Sequence, residues 1–321
     1  MAHYNYLQIM HRHHVKVNGA AIWVTEIIPI QPSSSPVVVL VPGLGGTAQG
    51  WCAVQQLLPP YLRSFSYDRL GLNRSDRTTL PRPAATLAQE LKATLSACAA
   101  PGPYLLVLSS YAGIIGREFL EAFDSDVAGL VYVDANQERT QIERQWPLEA
   151  TGRIVTQAFS TKDATGLSHA HRCTPEDWAA LAAEEAAKQL EKEAGNDPSQ
   201  GEWLLYESSL LALGEHKQLN RKALGSRPLS VVMANLTRDF KRMFAAGKAA
   251  GLGTEEDHRE VGAFCERLPA VELRLNTDVL KLSSLHRLVV TSVSGHCVAL
   301  WEPELVVQEV MWCLGHLRSR M

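Results

Sequence analysis

Ser109 and Ser110 stand between an apolar run, Tyr104-Leu105-Leu106-Val107-Leu108, and a stretch with helical spacing, Tyr111 to Phe123. A hydroxyl on a sharp turn from a buried strand into a helix projects clear of the sheet, over the positive end of that helix. The backbone N–H of the next residue, Tyr111, can then donate to a developing oxyanion. His296, in Ser294-Gly295-His296, follows the last apolar run and could accept the hydroxyl proton. Such a histidine needs a carboxylate to hold its tautomer and offset its charge. Two candidates follow apolar runs: Asp134, in Val131-Tyr132-Val133-Asp134-Ala135, and Asp239, in Asn235-Leu236-Thr237-Arg238-Asp239. The chemistry of this set would be nucleophilic acyl transfer. A structural account of each residue also stands: the serines cap the following helix, Asp134 caps a loop, and a single histidine is structural.

The runs that must position these groups alternate in type. Val37 to Val41, Arg63 to Tyr67, Tyr104 to Leu108, Ala128 to Val133, Pro228 to Met233 and Arg287 to Val293 read as strands. Those that are apolar throughout suit strands buried on both faces. Ala84 to Cys98 carries Leu87, Leu91 and Leu95 at helical spacing, and Pro303 to Leu317 reads as a closing helix. Strands alternating with helices imply parallel β-α-β units. Before them, His14 to Val17 and Ala20 to Ile28 flank Asn18-Gly19, a dipeptide suited to an antiparallel hairpin. Pro32 to Pro36 is a surface loop by composition.

Three segments resemble the α/β-hydrolase superfamily, in its serine-nucleophile, esterase- and lipase-like branch with a helical lid. Tyr67-Asp68-Arg69-Leu70-Gly71-Leu72-Asn73-Arg74-Ser75-Asp76 is similar to that family's Y-D-R-x-G-x-G-x-S-D and is the most specific marker. Val41-Pro42-Gly43-Leu44-Gly45-Gly46 resembles the oxyanion loop, with Pro42 where the family has His. Ser294-Gly295-His296, then Trp301-Glu302-Pro303-Glu304-Leu305, resembles S-G-H followed by x-x-P-E-x. The elbow itself departs from G-x-S-x-G, with Leu108 and Ala112 in place of the glycines and Gly113 next. The likeness covers Val37 to Asp134 and Asp278 to Gly315.

The resemblance implies Ser110 as nucleophile, His296 as base, and the N–H groups of Leu44 and Tyr111 as oxyanion donors. It places the acid after either of two strands, and Asp134 is favoured over Asp239. Asp278 reads as a surface helix residue. Epoxide hydrolases and dehalogenases of the superfamily carry Asp at the nucleophile, so Ser110 points away from them. The implied architecture is an α/β-hydrolase fold: a mostly parallel sheet opened by an antiparallel hairpin. Residues 1–136 form the first part of the core and 137–226 a helical lid. Residues 227–321 complete the core, with a helical excursion over about 237–284. Thr174-Pro175-Glu176-Asp177 is a good helix start within the lid, and Glu202 to Leu213 a further helix. Of Trp146, Phe159, Trp178, Trp203 and Tyr206, most are assigned to the interior of the lid rather than to a pocket.

Composition narrows the classes. The chain has 321 residues, 46% hydrophobic and 20% charged, with net charge −3. Nothing there marks a nucleic-acid partner. No window has the ~18 apolar residues of a membrane span. Residues 1–6 lack the features of a secretory signal, so a cytoplasmic protein is expected. The six cysteines, Cys52, Cys98, Cys173, Cys265, Cys297 and Cys313, are read as mostly buried thiols. His169, His171 and Cys173 alternate like metal ligands, but no fourth is evident. They are assigned to a solvated loop, as are His11, His13 and His14. No metal or cofactor is expected. The expected partner is a small apolar substrate, and the helical insertions offer surfaces for a homodimer.

Three functions remain open. One is hydrolysis of an ester, lactone or thioester. The second keeps the Ser/His site for lyase, acyl-transfer or cyclisation chemistry in secondary metabolism, for example on a polyketide-like intermediate. The third is a non-catalytic binding protein on the same fold.

Overall fold

Asn18 and Gly19 both take positive φ, 50° and 87°, and turn strand β1 (Gln8–Val17) back on β2 (Ala20–Pro29). Val17 pairs with Ala20 directly across this turn, as a two-residue hairpin with an Asn-Gly corner requires. The hairpin is longer than the sequence suggests. The structure is a computed structural model that describes residues 8–318 apart from 32, 33, 79 and 157. The signal reading of residues 1–6 and the loop assignment of Pro32 and Ser33 therefore lie outside the described residues.

The other strands are β3 (Val37–Val41), β4 (Ser64–Tyr67), β5 (Tyr104–Ser109), β6 (Val127–Val133), β7 (Leu229–Met233) and β8 (His286–Val290). All eight form one sheet in the order β1-β2-β4-β3-β5-β6-β7-β8. β1 and β2 are antiparallel, β2 meets β4 antiparallel, and β3 to β8 run parallel. The mostly parallel sheet opened by a hairpin is the architecture expected from the sequence.

The apolar runs are continuous because both faces are covered. Val39, Val41, Leu106, Leu108, Leu130 and Tyr132 face one core. Val38, Leu40, Leu105, Val107, Val131 and Val133 face the other. Alternate side chains of a strand point to opposite faces, so a strand inside two layers must be apolar at every position. Helix α1 (Cys52–Leu57) lies on the second face, while α2 (Ala84–Ala97) and α3 (Ala112–Ala122) cover the first.

Between β6 and β7 the chain is helical. It forms α4 (Thr140–Arg144), α5 (Leu148–Ile154), α6 (Thr161–Thr165), α7 (Leu167–Ala170), α8 (Pro175–Glu193), α9 (Gln200–Leu204) and α10 (Tyr206–Glu215). Thr174 caps α8 through its side chain, which accepts from Asp177 N–H. The single helix expected over 202–213 is two, broken at Leu205. Between β7 and β8 come α11 (Leu236–Ala249) and α12 (Glu255–Val279). These two share a separate apolar core with α5, built on Ala150, Ile154, Phe240, Phe244 and Phe264. The first half of the earlier excursion thus packs against the later one, while α10 joins the core on the first face of the sheet. The chain closes with α13 (Val298–Trp301) and α14 (Pro303–Arg318), the latter on the second face of the sheet.

β3 is flanked by β4 and β5, so successive connections leave it in opposite directions. That reversal opens a crevice at the carboxyl ends of the strands. The segments after β3, β5, β6, β7 and β8 all end there, and they carry Leu44, Ser110, Asp134, Asp239 and His296.

Candidate active site

Ser110 has φ of +54°. A non-glycine residue in that region is strained and persists only where the surroundings over-determine it. Here the Ser110 carbonyl accepts from Gly113 N–H at 3.0 Å and from Asn136 N–H at 2.8 Å. Leu108, the departure that crowds the elbow on paper, is fully buried. Its space comes from α3: a Cβ on Gly116 would lie 2.5 Å from both Leu108 Cδ atoms. The small residue that lets helix and strand approach has moved from the strand to the helix. Gly116→Ala should therefore destabilise the fold by about 1–3 kcal/mol through overpacking. The double variant with Leu108→Ala should be destabilised by less than the sum of the two single losses in thermal unfolding, because the two sites share one volume.

Asp134 also takes positive φ, +46°. Its Oδ2 lies 2.6 Å from His296 Nδ1, and its Oδ1 accepts from Ala234 N–H at 3.4 Å. Burial opposes charge on both groups, but the contact outweighs it. The imidazole is held above its ordinary value chiefly by the Asp134 carboxylate. The carboxyl is held below its own by His296, with Arg144 adding to the effect. Asp239 meets the same histidine differently: its Oδ2 accepts from the His296 backbone N–H at 3.0 Å, and its Oδ1 pairs with Arg238 at 3.0 Å. Asp239 therefore holds the loop while Asp134 holds the ring. Asp278 pairs with Lys281 and Arg139 and is not among the cavity residues.

The loop after β3 is gripped from beneath. Arg69, fully buried, donates Nη1 to Pro42 O at 2.7 Å and Nη2 to Gly43 O at 2.5 Å. Gly43 O also accepts from Gly46 N–H at 2.9 Å. A trans peptide sets C=O and N–H on opposite sides, so fixing Gly43 O fixes the direction of Leu44 N–H. Glu202 of α9 completes the clamp, accepting from Arg69 Nε at 2.5 Å and from Gly45 N–H at 2.8 Å. The charge of Arg69 keeps the buried Glu202 carboxyl below its ordinary value, against the cost of burial. From α8, Glu184 accepts from Thr47 at 2.6 Å and from Asn73 at 2.8 Å, and Lys188 donates to Gly45 O. Arg69 lies in the Tyr67–Asp76 segment, so its importance was signalled in the sequence. Glu184 sits in an Ala/Glu/Lys-rich stretch and Glu202 at the start of the next helical run, and nothing in the sequence distinguishes either from a surface acid.

Ser110, His296, Leu44 and Tyr111 open onto one cavity of about 600 Å³. Among the described residues no hydrogen bond joins Ser110 Oγ to His296. Trp146, Trp203, Tyr206, Leu236, Phe240 and Met243 supply apolar wall. This corrects the assignment of most lid aromatics to the lid interior: Trp146, Trp203 and Tyr206 face the cavity, whereas Phe159 and Trp178 do not line it. The cavity draws walls from both helical excursions, which no local pattern reveals. Arg144 reaches the cavity too, clamped by Glu272 at 2.6 and 3.0 Å.

Two further expectations change. His171 is not a solvated loop residue, because it stacks on Trp178 with ring centroids 3.8 Å apart, and Cys173 meets Cys52. His13 lies on β1 near Glu26 and Cys98, with donor atoms within 4.8 Å of one another. Arg63 already pairs with Glu26 at 2.6 Å, so that carboxylate has its cation. Of the cysteines, Cys52, Cys265 and Cys313 are buried, while Cys297, beside His296, is exposed.

This strand order, with a serine elbow and a histidine at the carboxyl edge, defines the α/β-hydrolase class. The Alpha/beta hydrolase family model matches residues 38–309. An AB hydrolase superfamily protein of Gibberella zeae is 31% identical over 288 residues, covering 88% of this chain and 87% of that protein. The chain belongs to the α/β-hydrolase family. In fold it is similar to a proline iminopeptidase of Mycobacterium smegmatis (TM-score 0.59, 17% identity, 96% of this chain and 98% of that one). It is likewise similar to a thermophilic esterase of Thermogutta terrifontis (TM-score 0.56, 15% identity, 96% and 99%). Among the described residues no helix is long and apolar enough to cross a membrane.

Proposed function

We propose that this chain is a serine hydrolase that cleaves an ester, lactone or thioester of a small apolar substrate. The observation that carries the reading is the 2.6 Å contact of Asp134 with His296 Nδ1, on the wall of the cavity onto which Ser110 opens. That contact leaves Nε2 as the acceptor for a proton. Ser110 Oγ attacks the carbonyl carbon and gives its proton to His296. The N–H groups of Leu44 and Tyr111 hold the oxyanion. The proton passes to the leaving alcohol or thiol, leaving an acyl-serine. Water, deprotonated by His296, then attacks the acyl carbon, and the acid departs as Ser110 regains its proton. The Ser110 side chain closes on His296 once substrate is bound, since catalytic hydrogen bonds in empty sites are commonly loose. The apolar walls support an apolar acyl or leaving group.

A fluorophosphonate probe tests the reading. The adduct should map to the peptide containing Ser110, and a folded protein that takes no label overturns it. On the same reading Arg69 and Glu202 are positioning residues. Glu202→Gln should lower kcat by up to ~10²-fold by loosening the loop that aims Leu44 N–H. KM for small esters should change little. Unfolding temperature should also drop, because the substitution leaves the buried Arg69 guanidinium without a counter-charge. Steady-state kinetics beside a thermal melt separate the two effects.

A further inference from the structure

Cys52 opens α1 on the core, directly after Trp51, and Cys173 directly precedes the Thr174 cap of α8 on the lid. Their Sγ atoms are 3.5 Å apart, with Cys52 donating to Cys173. Both sit in the apolar seam where these layers meet, among Ala53, Leu167, Leu181 and Leu300. Polar contacts continue the seam: Gln49 Nε2 donates to Asp177 O at 3.0 Å, and Gln56 Nε2 to Asp177 Oδ2 at 2.5 Å. A disulfide has sulfurs ≈ 2.05 Å apart, so the pair needs an approach of about 1.5 Å. Cys173 lies between α7 and α8, where the backbone can supply it.

We propose that Cys52 and Cys173 form a redox-modification site, a reversible disulfide that fastens the lid to the core beside the loop after β3. The two thiols are unequal. The hydrogen bond from Cys52 holds the Cys173 thiol below its ordinary value. The same bond, and then burial, push Cys52 up. Cys173 is also half-buried where Cys52 is buried. A low-pKa, reachable thiol attacks first, and its shielded partner resolves.

The oxidant is a small disulfide such as glutathione disulfide. Cys173 thiolate attacks one of its sulfurs, forming a mixed disulfide and releasing one glutathione thiolate. Cys52 loses its proton to that thiolate and attacks Cys173 Sγ, and the second glutathione leaves as a thiolate that takes a proton from solvent. Two protein thiols and one disulfide become one protein disulfide and two thiols, with no other electron acceptor. The bond would tie the start of α8 to α1. Because α8 carries Glu184 and Lys188 onto Thr47, Asn73 and Gly45, oxidation would hold that helix over the cavity. Neither the bond nor its effect on the lid depends on the serine-hydrolase reading.

The test uses the full chain incubated with glutathione disulfide, then alkylated under denaturing conditions and mapped without reduction. A linked Cys52–Cys173 peptide should form and should vanish with dithiothreitol. Cys52→Ser should instead trap glutathione on Cys173, and Cys173→Ser should leave Cys52 unmodified. Limited proteolysis within residues 140–215 should slow about tenfold or more in the oxidised wild type, since opening that segment then strains a cross-link. A glutathione adduct on Cys173 of the wild type without the linked peptide overturns the proposal. So does a linked peptide that leaves lid proteolysis unchanged.

Discussion

Ser110→Ala should lower kcat by ~10⁴-fold or more while KM for a bound ester stays within a few-fold. The asymmetry follows from where the hydroxyl acts. The apolar cavity walls built on Trp146, Phe240 and Met243, the proposed substrate site, are the same in both proteins. On the proposed mechanism only the wild type can form the acyl-serine. A residual rate over water should survive, because the backbone donors at Leu44 and Tyr111 are untouched by the substitution. Alanine tolerates φ of +54° no better than serine, so the variant should unfold at nearly the wild-type temperature. Ser110→Gly should be equally inactive yet more stable by about 1 kcal/mol, because glycine adopts that φ without strain. A melt of the three proteins, beside their kinetics with a chromogenic ester, checks both halves. An active Ser110→Ala variant would eliminate Ser110 as nucleophile.

Asp134→Asn should lower kcat by ~10⁴-fold, whereas Asp239→Asn should cost less than ~10-fold. An asparagine at 134 can donate its N–H₂ to Nδ1, stabilising the tautomer that places the proton on Nε2, where it blocks acceptance from Ser110. An asparagine at 239 keeps an oxygen for the His296 backbone N–H and loses mainly the pairing with Arg238. The pH profile gives a second reading. As the proposed base His296 is competent only when neutral, so the rate should rise with pH through the imidazole pKa. Burial alone would set that value below the ordinary ~6.5, but the Asp134 carboxylate raises it above. Wild-type activity should therefore have its acidic limb above pH ~6.5. The residual activity of Asp134→Asn should have its limb at lower pH, because the group that chiefly raises the imidazole is gone and only the smaller effect of the Asp239 charge still opposes burial. If Asp239→Asn instead moves the limb and removes the activity, the assignment of the acid is reversed.

Much of this architecture was legible because its signals are local. β3, β5 and β6 show as unbroken apolar runs, since each residue of a doubly covered strand meets a core whichever way it points. Asn18-Gly19 announced its hairpin because few residues accept two positive φ values in succession. Tyr67 to Asp76 announced the family, and Arg69 within it proves to grip Pro42 and Gly43. The elbow was harder. Leu108 read as an obstruction because the space it occupies belongs to Gly116, eight residues along and on another element.

The sequence by itself determined the parallel sheet, the elbow at Ser110 and the loops that bear Leu44 and His296, since hydrophobic period, turn chemistry and short motifs are set by neighbours in the chain. Tertiary structure decided what no neighbour could. Asp134 and Asp239 follow adjacent parallel strands and reach the same crevice, and their contacts with His296 differ by backbone direction. A left-handed Asp134 presents Oδ2 to the ring, whereas Asp239, in the first turn of α11, faces the peptide N–H. Tertiary packing also chose which acids of the helical segment between β6 and β7 are surface charges and which, like Glu202, are buried struts. That choice rests on desolvation: a carboxylate is buried only where a partner such as Arg69 meets it, and the partner lies more than a hundred residues away.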